Sequence, residues 1–112
     1  MNNAITNFQE YQANVIRTMN HSSGLANYAL GLAGEAGETV DYLKKVLFHG
    51  HELDNEKLMK ELGDILWYVT AVAEFNGYKL EEIAHMNVMK LRQRYPQGFD
   101  TNKSVNRKEK DI

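Results

Sequence analysis

The sequence contains no cysteine, a single proline and no long apolar run. Without cysteine there is neither a disulfide nor a thiolate metal centre, and a reducing cytoplasm is the expected setting. The one proline, Pro96, comes late, so no proline interrupts a helix before it. No stretch approaches the ~20 apolar residues of a membrane-spanning helix. The opening MNNAITNFQEYQ lacks a basic segment followed by an apolar one, so neither a membrane partner nor a secretory signal is expected. Charge of one sign is also missing. Lys and Arg number 13 against 15 Asp and Glu, and the net charge of −2 offers nucleic acid no general attraction. There is no Gly-rich phosphate loop, because the glycines of GLAGEAGE fall inside a helical pattern.

What is present is helix. A chain of 112 residues that is 43% hydrophobic and 25% charged suits one ordinary globular domain. Apolar residues recur at helical spacing and strand-like alternation is nearly absent. Four helices are predicted. The first runs from Ile5 to Met19, with Phe8, Tyr11, Gln12, Val15 and Met19 on one side. The second runs from Gly24 to Val46 and ends near Phe48-His49-Gly50. The third follows Asp54, a side chain suited to N-capping, and stops at Asn76-Gly77. The fourth runs from Leu80 to Tyr95 and is closed by Pro96. The expected architecture is an all-α four-helix bundle over residues 1–100, with a loose polar tail over 101–112.

Two of these helices carry acids where apolar residues belong. On the second, Leu25, Ala29, Leu32, Ala36, Val40, Leu43 and Leu47 form a first stripe. Beside it lie Tyr28, Gly31, Glu35, Glu38, Tyr42 and Lys45. The third repeats the arrangement, with Leu58, Leu62, Ile65, Val69 and Val72 beside Glu61, Asp64, Tyr68, Ala71 and Phe75. Each acid pair has three-residue spacing and projects from one side of its helix. If the two helices are neighbours, Glu35, Glu38, Glu61 and Asp64 face one cleft.

Converging carboxylates cost several kcal/mol each when buried without a cation. As hard oxygen ligands they suit Mg²⁺, with Mn²⁺ as the second choice, and a phosphate-bearing substrate. The competing reading is a salt-bridge network with Lys44, Lys45 and Lys60. For one Glu-x-x-Glu that reading wins, but two pairs on a half-buried stripe favour the metal.

Other side chains are weaker signals. Asn87 falls within the apolar side of the fourth helix, among Ile83, Ala84, Val88 and Leu91, and a buried amide needs partners. Lys90 and Arg94 follow along the same edge and could hold phosphate oxygens, or simply be solvated. Tyr68 is placed to reach the acids or to act as a core aromatic. Trp67, on the polar side of the third helix, reads as an exposed base-stacking wall or subunit contact. His49-Gly-His51 reads as a polar turn, and Glu82-x-x-His85 lacks the second copy that a di-iron bundle requires.

GLAGEAGE, then 22 residues, then ELGDILWYV resembles the MazG-like all-α nucleoside triphosphate pyrophosphohydrolases. The later NVMKLRQRYPQGF resembles that family's fourth-helix signature, with a fainter echo in FQEYQ. The resemblance covers about Leu25 to Phe99. It implies Mg²⁺-dependent hydrolysis of a (deoxy)nucleoside triphosphate to the monophosphate and pyrophosphate, in the service of nucleotide-pool cleaning. It also implies metal held by Glu35, Glu38, Glu61 and Asp64, with Glu35 or Glu38 orienting the attacking water. Lys45, Lys90 and Arg94 would handle phosphates, Tyr68 and Asn87 would hold the nucleotide, and Trp67 would touch the base. A homodimer or homotetramer is implied too, and the wide apolar surface of the two middle helices agrees. Lys79 departs from the family pattern, which has a capping serine or aspartate before LEEI. Two alternatives remain at this point. One is phosphoribosyl-ATP pyrophosphohydrolase, ranked lower on the RYPQGF ending. The other is a non-catalytic helical module, which the intact acid quartet argues against.

Overall fold

A computed structural model describes residues 4–107. Among them are five helices and no strand: α1 (Phe8–Thr18), α2 (Leu25–Phe48), α3 (Asn55–Phe75), α4 (Leu80–Arg94) and α5 (Thr101–Val105).

The ends follow local chemistry. Asn7 caps α1 by accepting from the Glu10 amide at 2.8 Å, and Glu10 in return accepts from the Thr6 amide and hydroxyl. That reciprocal cap starts the helix at Phe8 rather than Ile5. Asp54 caps α3 through the Lys57 amide at 3.2 Å. Gly50 and Gly77, both at positive φ, turn the chain after α2 and α3. At Lys79 the departure is made good by Glu82, whose carboxylate accepts from the Lys79 amide at 3.0 Å. The tail does not start loose: Asp100 accepts from the Asn102 and Lys103 amides and nucleates α5. The remainder of the expected tail, 108–112, lies outside the described residues.

Helices α2 and α3 form the main antiparallel pair, and α1 crosses α3. The fully buried residues cluster there: Val15 of α1, Tyr28 of α2, and Thr70 and Ala71 of α3. Small side chains at Thr70, Ala71 and Ala73 let α1 approach α3 closely. Helix α4 packs on α1 and α3, and its single buried residue is Leu80, at its start.

The stripe that meets its partner helix is the one bearing the acids. Tyr28 sets its ring edge against Trp67 and Phe75, with centroids 6.1 and 6.4 Å apart. A Cβ at Gly31 would fall inside the Tyr68 ring, so the two helices touch there. Tyr42 takes the Lys57 ammonium over its ring at 4.5 Å and accepts from the Asp54 amide at 2.8 Å. The register therefore matches 31 with 68 and 42 with 57, and between them it sets 35 against 64 and 38 against 61. The apolar stripe expected to form the core is instead largely open within one chain. Val40 is 66% exposed, Leu47 71% and Leu62 51%.

Candidate metal centre at the α2–α3 seam

The register brings carboxylates together at mid-seam. Glu35, Glu38 and Glu61 each offer an oxygen, and these oxygens all lie within 4.8 Å of one another. Asp64 stands outside this group, yet its charge reaches Glu35. Glu35 and Glu61 are half-buried, whereas Glu38 and Asp64 are exposed. One oxygen of Glu35 and one of Glu61 are buried without any hydrogen-bond partner.

Burial pushes Glu35 above its ordinary value, and the charges of Glu38, Asp64 and Glu61 add to the effect. The lysines that might have relieved this charge are engaged elsewhere. Lys44 and Lys45 both pair with Asp41, at 3.3 and 3.0 Å, and Lys60 pairs with Glu56 at 3.1 Å. None of those three lysines is salt-bridged to the acid stripe.

The donor set fits a hard divalent cation. Carboxylate oxygens from two helices, two of them lacking any hydrogen-bond donor, match the ligand preference of Mg²⁺ or Mn²⁺. Thr39 supports the seam locally, its buried hydroxyl donating to the Glu35 carbonyl at 2.9 Å.

The chain belongs to the MazG nucleotide pyrophosphohydrolase family. That family's domain matches residues 23–99, which hold the whole acid cluster and all of α2, α3 and α4. The gene 37 protein of Mycobacterium phage L5 is 33% identical over 88 residues, covering 75% of this chain and 77% of that protein. No solved structure matches. The family supports a pyrophosphohydrolase-type hydrolase with an all-helical fold.

The remaining candidates of this MazG chain are placed unevenly. Tyr68 is half-buried on the seam, against Gly31 and edge-on to Trp67 at 5.0 Å. Trp67 is not an exposed wall. It is half-buried, and its indole N–H donates to the Thr18 hydroxyl at 2.8 Å, because α1 covers the side of α3 that looked free. Asn87 is exposed rather than buried, on a helix whose one buried residue is Leu80. Lys90 is exposed on the same arm, and Arg94 is half-buried near the Tyr95 ring, 5.9 Å from its centroid. Lys45 stays on the α2 surface with Asp41.

Sequence reasoning passed over Tyr11. Its phenol is raised above its ordinary value by burial first and by the Asp64 charge second, which places α1 beside the acid quartet. The available signal was the FQEYQ echo, which names a segment without saying where its side chains lead.

Proposed function

We propose that this chain is a Mg²⁺-dependent nucleoside triphosphate pyrophosphohydrolase that releases a nucleoside monophosphate and pyrophosphate. The observation that carries the reading is the set of three carboxylates within 4.8 Å, two with a buried oxygen that no donor reaches. Mg²⁺, or Mn²⁺ in its place, would be held by Glu35, Glu38 and Glu61, with Asp64 joining directly or through a water. When bound, it supplies charge neutralisation and polarisation of the phosphoryl group.

The chain's own residues do the rest. A water oxygen bonds to the α-phosphorus, and the bond to the α–β bridging oxygen breaks. That oxygen and its electron pair leave with pyrophosphate. Glu38, the exposed member of the cluster, orients the water and takes its proton, with Glu35 the second candidate. Lys90 and Arg94 hold phosphate oxygens, and Lys45 can join them by leaving Asp41. Tyr68 and Asn87 hold the nucleoside. Trp67, tied to Thr18, supports Tyr68 rather than the base.

A homodimer or homotetramer completes the reading. The open stripe through Val40, Leu47 and Leu62 is an unpartnered apolar face of α2 and α3. The radius of gyration, 17.1 Å, exceeds the ~13 Å of a compact chain of this length. The setting is a reducing cytoplasm, and the role is the clearing of unwanted nucleotides.

The test is pyrophosphate release from a panel of nucleoside triphosphates with Mg²⁺, in wild type and in Glu38→Gln and Glu61→Gln. Release by wild type and a loss of a hundredfold or more in both variants is expected. Release from phosphoribosyl-ATP alone would transfer the activity to histidine synthesis. No release from any substrate would make the chain a helical module.

A further inference from the structure

The α4 helix carries Asn87, Lys90 and Arg94, yet little of it is packed. Past Leu80 none of its apolar side chains is buried: Met86 is 72% exposed and Met89 50%. Beyond its packing on α1, its direction therefore depends on the elbow between α3 and α4, where Leu80 is seated. That elbow is short, turning through Asn76 and Gly77, with the Tyr78 amide bonded to the Ala73 carbonyl at 2.9 Å.

One side chain from outside holds it. Gln12, buried on α1, makes three of the four hydrogen bonds its amide can form there. Its Nε2 donates to Glu74 Oε1 at 3.0 Å and to the Tyr78 carbonyl at 2.9 Å. Its Oε1 accepts from the Leu80 amide at 2.7 Å. The three partners are the last turn of α3, the turn itself and the first residue of α4. The Leu80 N–H is one of the orphan donors of a helix start, and Lys79 offers it no side-chain cap. A satisfied buried amide is rigid, and removing it strands a buried donor and two acceptors.

The lever is long. From Leu80 to Arg94 the helix rises ~21 Å, so a swing of about 10° at the elbow moves Arg94 by about 4 Å. That displacement exceeds the length of a hydrogen bond to a phosphate oxygen.

We infer that Gln12 is a positioning residue, the clamp that aims the α4 arm and thereby sets where Lys90 and Arg94 meet the substrate phosphates. This rests on the pyrophosphohydrolase reading above. Gln12 touches neither substrate nor metal in it. It acts through the elbow.

The experiment has one readout that needs no activity. Because the chain has no cysteine, Asn27→Cys and Gln93→Cys supply the only two thiols for spin labels on α2 and α4. Labelled chain is diluted into unlabelled chain, so that only the intramolecular distance is measured by electron–electron resonance. Gln12→Met should broaden and shift that distance by several ångströms. In unlabelled protein it should raise the KM for a triphosphate tenfold or more, with kcat changed far less, while Mn²⁺ affinity stays as in wild type. Glu74→Met removes one acceptor without touching α1 and should give a smaller shift, whereas Glu74→Gln keeps the acceptor and should give none. These two variants serve if Gln12→Met does not fold.

An unchanged distance in Gln12→Met and Glu74→Met overturns the clamp. A displaced arm with an unchanged KM overturns its link to phosphate binding. A wild-type chain that hydrolyses no triphosphate while the arm still moves overturns the pyrophosphohydrolase reading, and with it the positioning role, but leaves the elbow geometry standing.

Discussion

Replacing Glu35 by Gln should stabilise the metal-free protein. Glu35 is half-buried with two other carboxylates, all three offering oxygens within 4.8 Å, and Asp64 is near enough to be felt. Two full charges at that distance repel by about 0.9 kcal/mol in a water-like dielectric and about 3.5 kcal/mol at an effective dielectric of 20. Glu38 and Asp64 are exposed, so screening draws the sum toward the lower value. The amide keeps the shape and removes the charge. The expected gain is about 1–2 kcal/mol, or roughly 4–8 °C in melting temperature. Mg²⁺ should act in the opposite order. Wild type gains about 2.7 kcal/mol at a metal concentration one hundred times Kd, while Glu35→Gln gains little. Scanning calorimetry of both proteins, each with and without Mg²⁺, reads all four values. A variant less stable than wild type without metal, or one with an undiminished response to Mg²⁺, would refute the reasoning.

Three further outcomes are expected. The folded-state pKa of Glu35 is raised, so the folded chain holds a proton more firmly than the unfolded one. The stability penalty from this group is full above its folded pKa. It is relieved as pH falls through that value towards the ordinary 4.5. Metal-free melting temperature should therefore rise on mild acidification, and Mn²⁺ affinity should fall in the same window, as calorimetry across pH would show. Gly31→Ala sets a Cβ into the Tyr68 ring and should cost about 1–3 kcal/mol in urea unfolding, with partial recovery in the Gly31→Ala, Tyr68→Ala double variant. Wild-type stability in Gly31→Ala alone would contradict the close seam. Sedimentation should give a dimer or tetramer that Val40→Glu with Leu47→Lys dissociates, and a monomeric wild type would remove the second copy from the account.

The helix ends were legible because capping is local. Asp54, Asn76-Gly77 and Gly50 each act within one turn, and all three stand where the sequence placed them. The acid pairs were legible for the same reason: three-residue spacing fixes a shared side whatever lies opposite. That the acid-bearing stripes of α2 and α3 face one another was legible once the two helices were taken as neighbours. Which other sides are covered is a tertiary matter, and there the reading failed. Trp67 looked exposed because the side of α3 that α1 covers is polar in sequence. Asn87 looked buried because the apolar side of α4 was taken to be packed, and within one chain it is not. Helix α5 was missed although Asp100-Thr101 is a capping signal. Gln12 offered the same clue as Asn87, a polar residue on an apolar side, and there the clue led to a clamp.

The central claim is that the carboxylates of α2 and α3 meet around a divalent cation. Titration calorimetry of Mn²⁺ into wild type, Glu35→Gln and Glu61→Gln, with a non-hydrolysable triphosphate present, tests it most directly. Saturable binding by wild type, lost or weakened at least tenfold in both variants, is the predicted result. Heats no greater than dilution in wild type, or equal affinity in all three proteins, would contradict it.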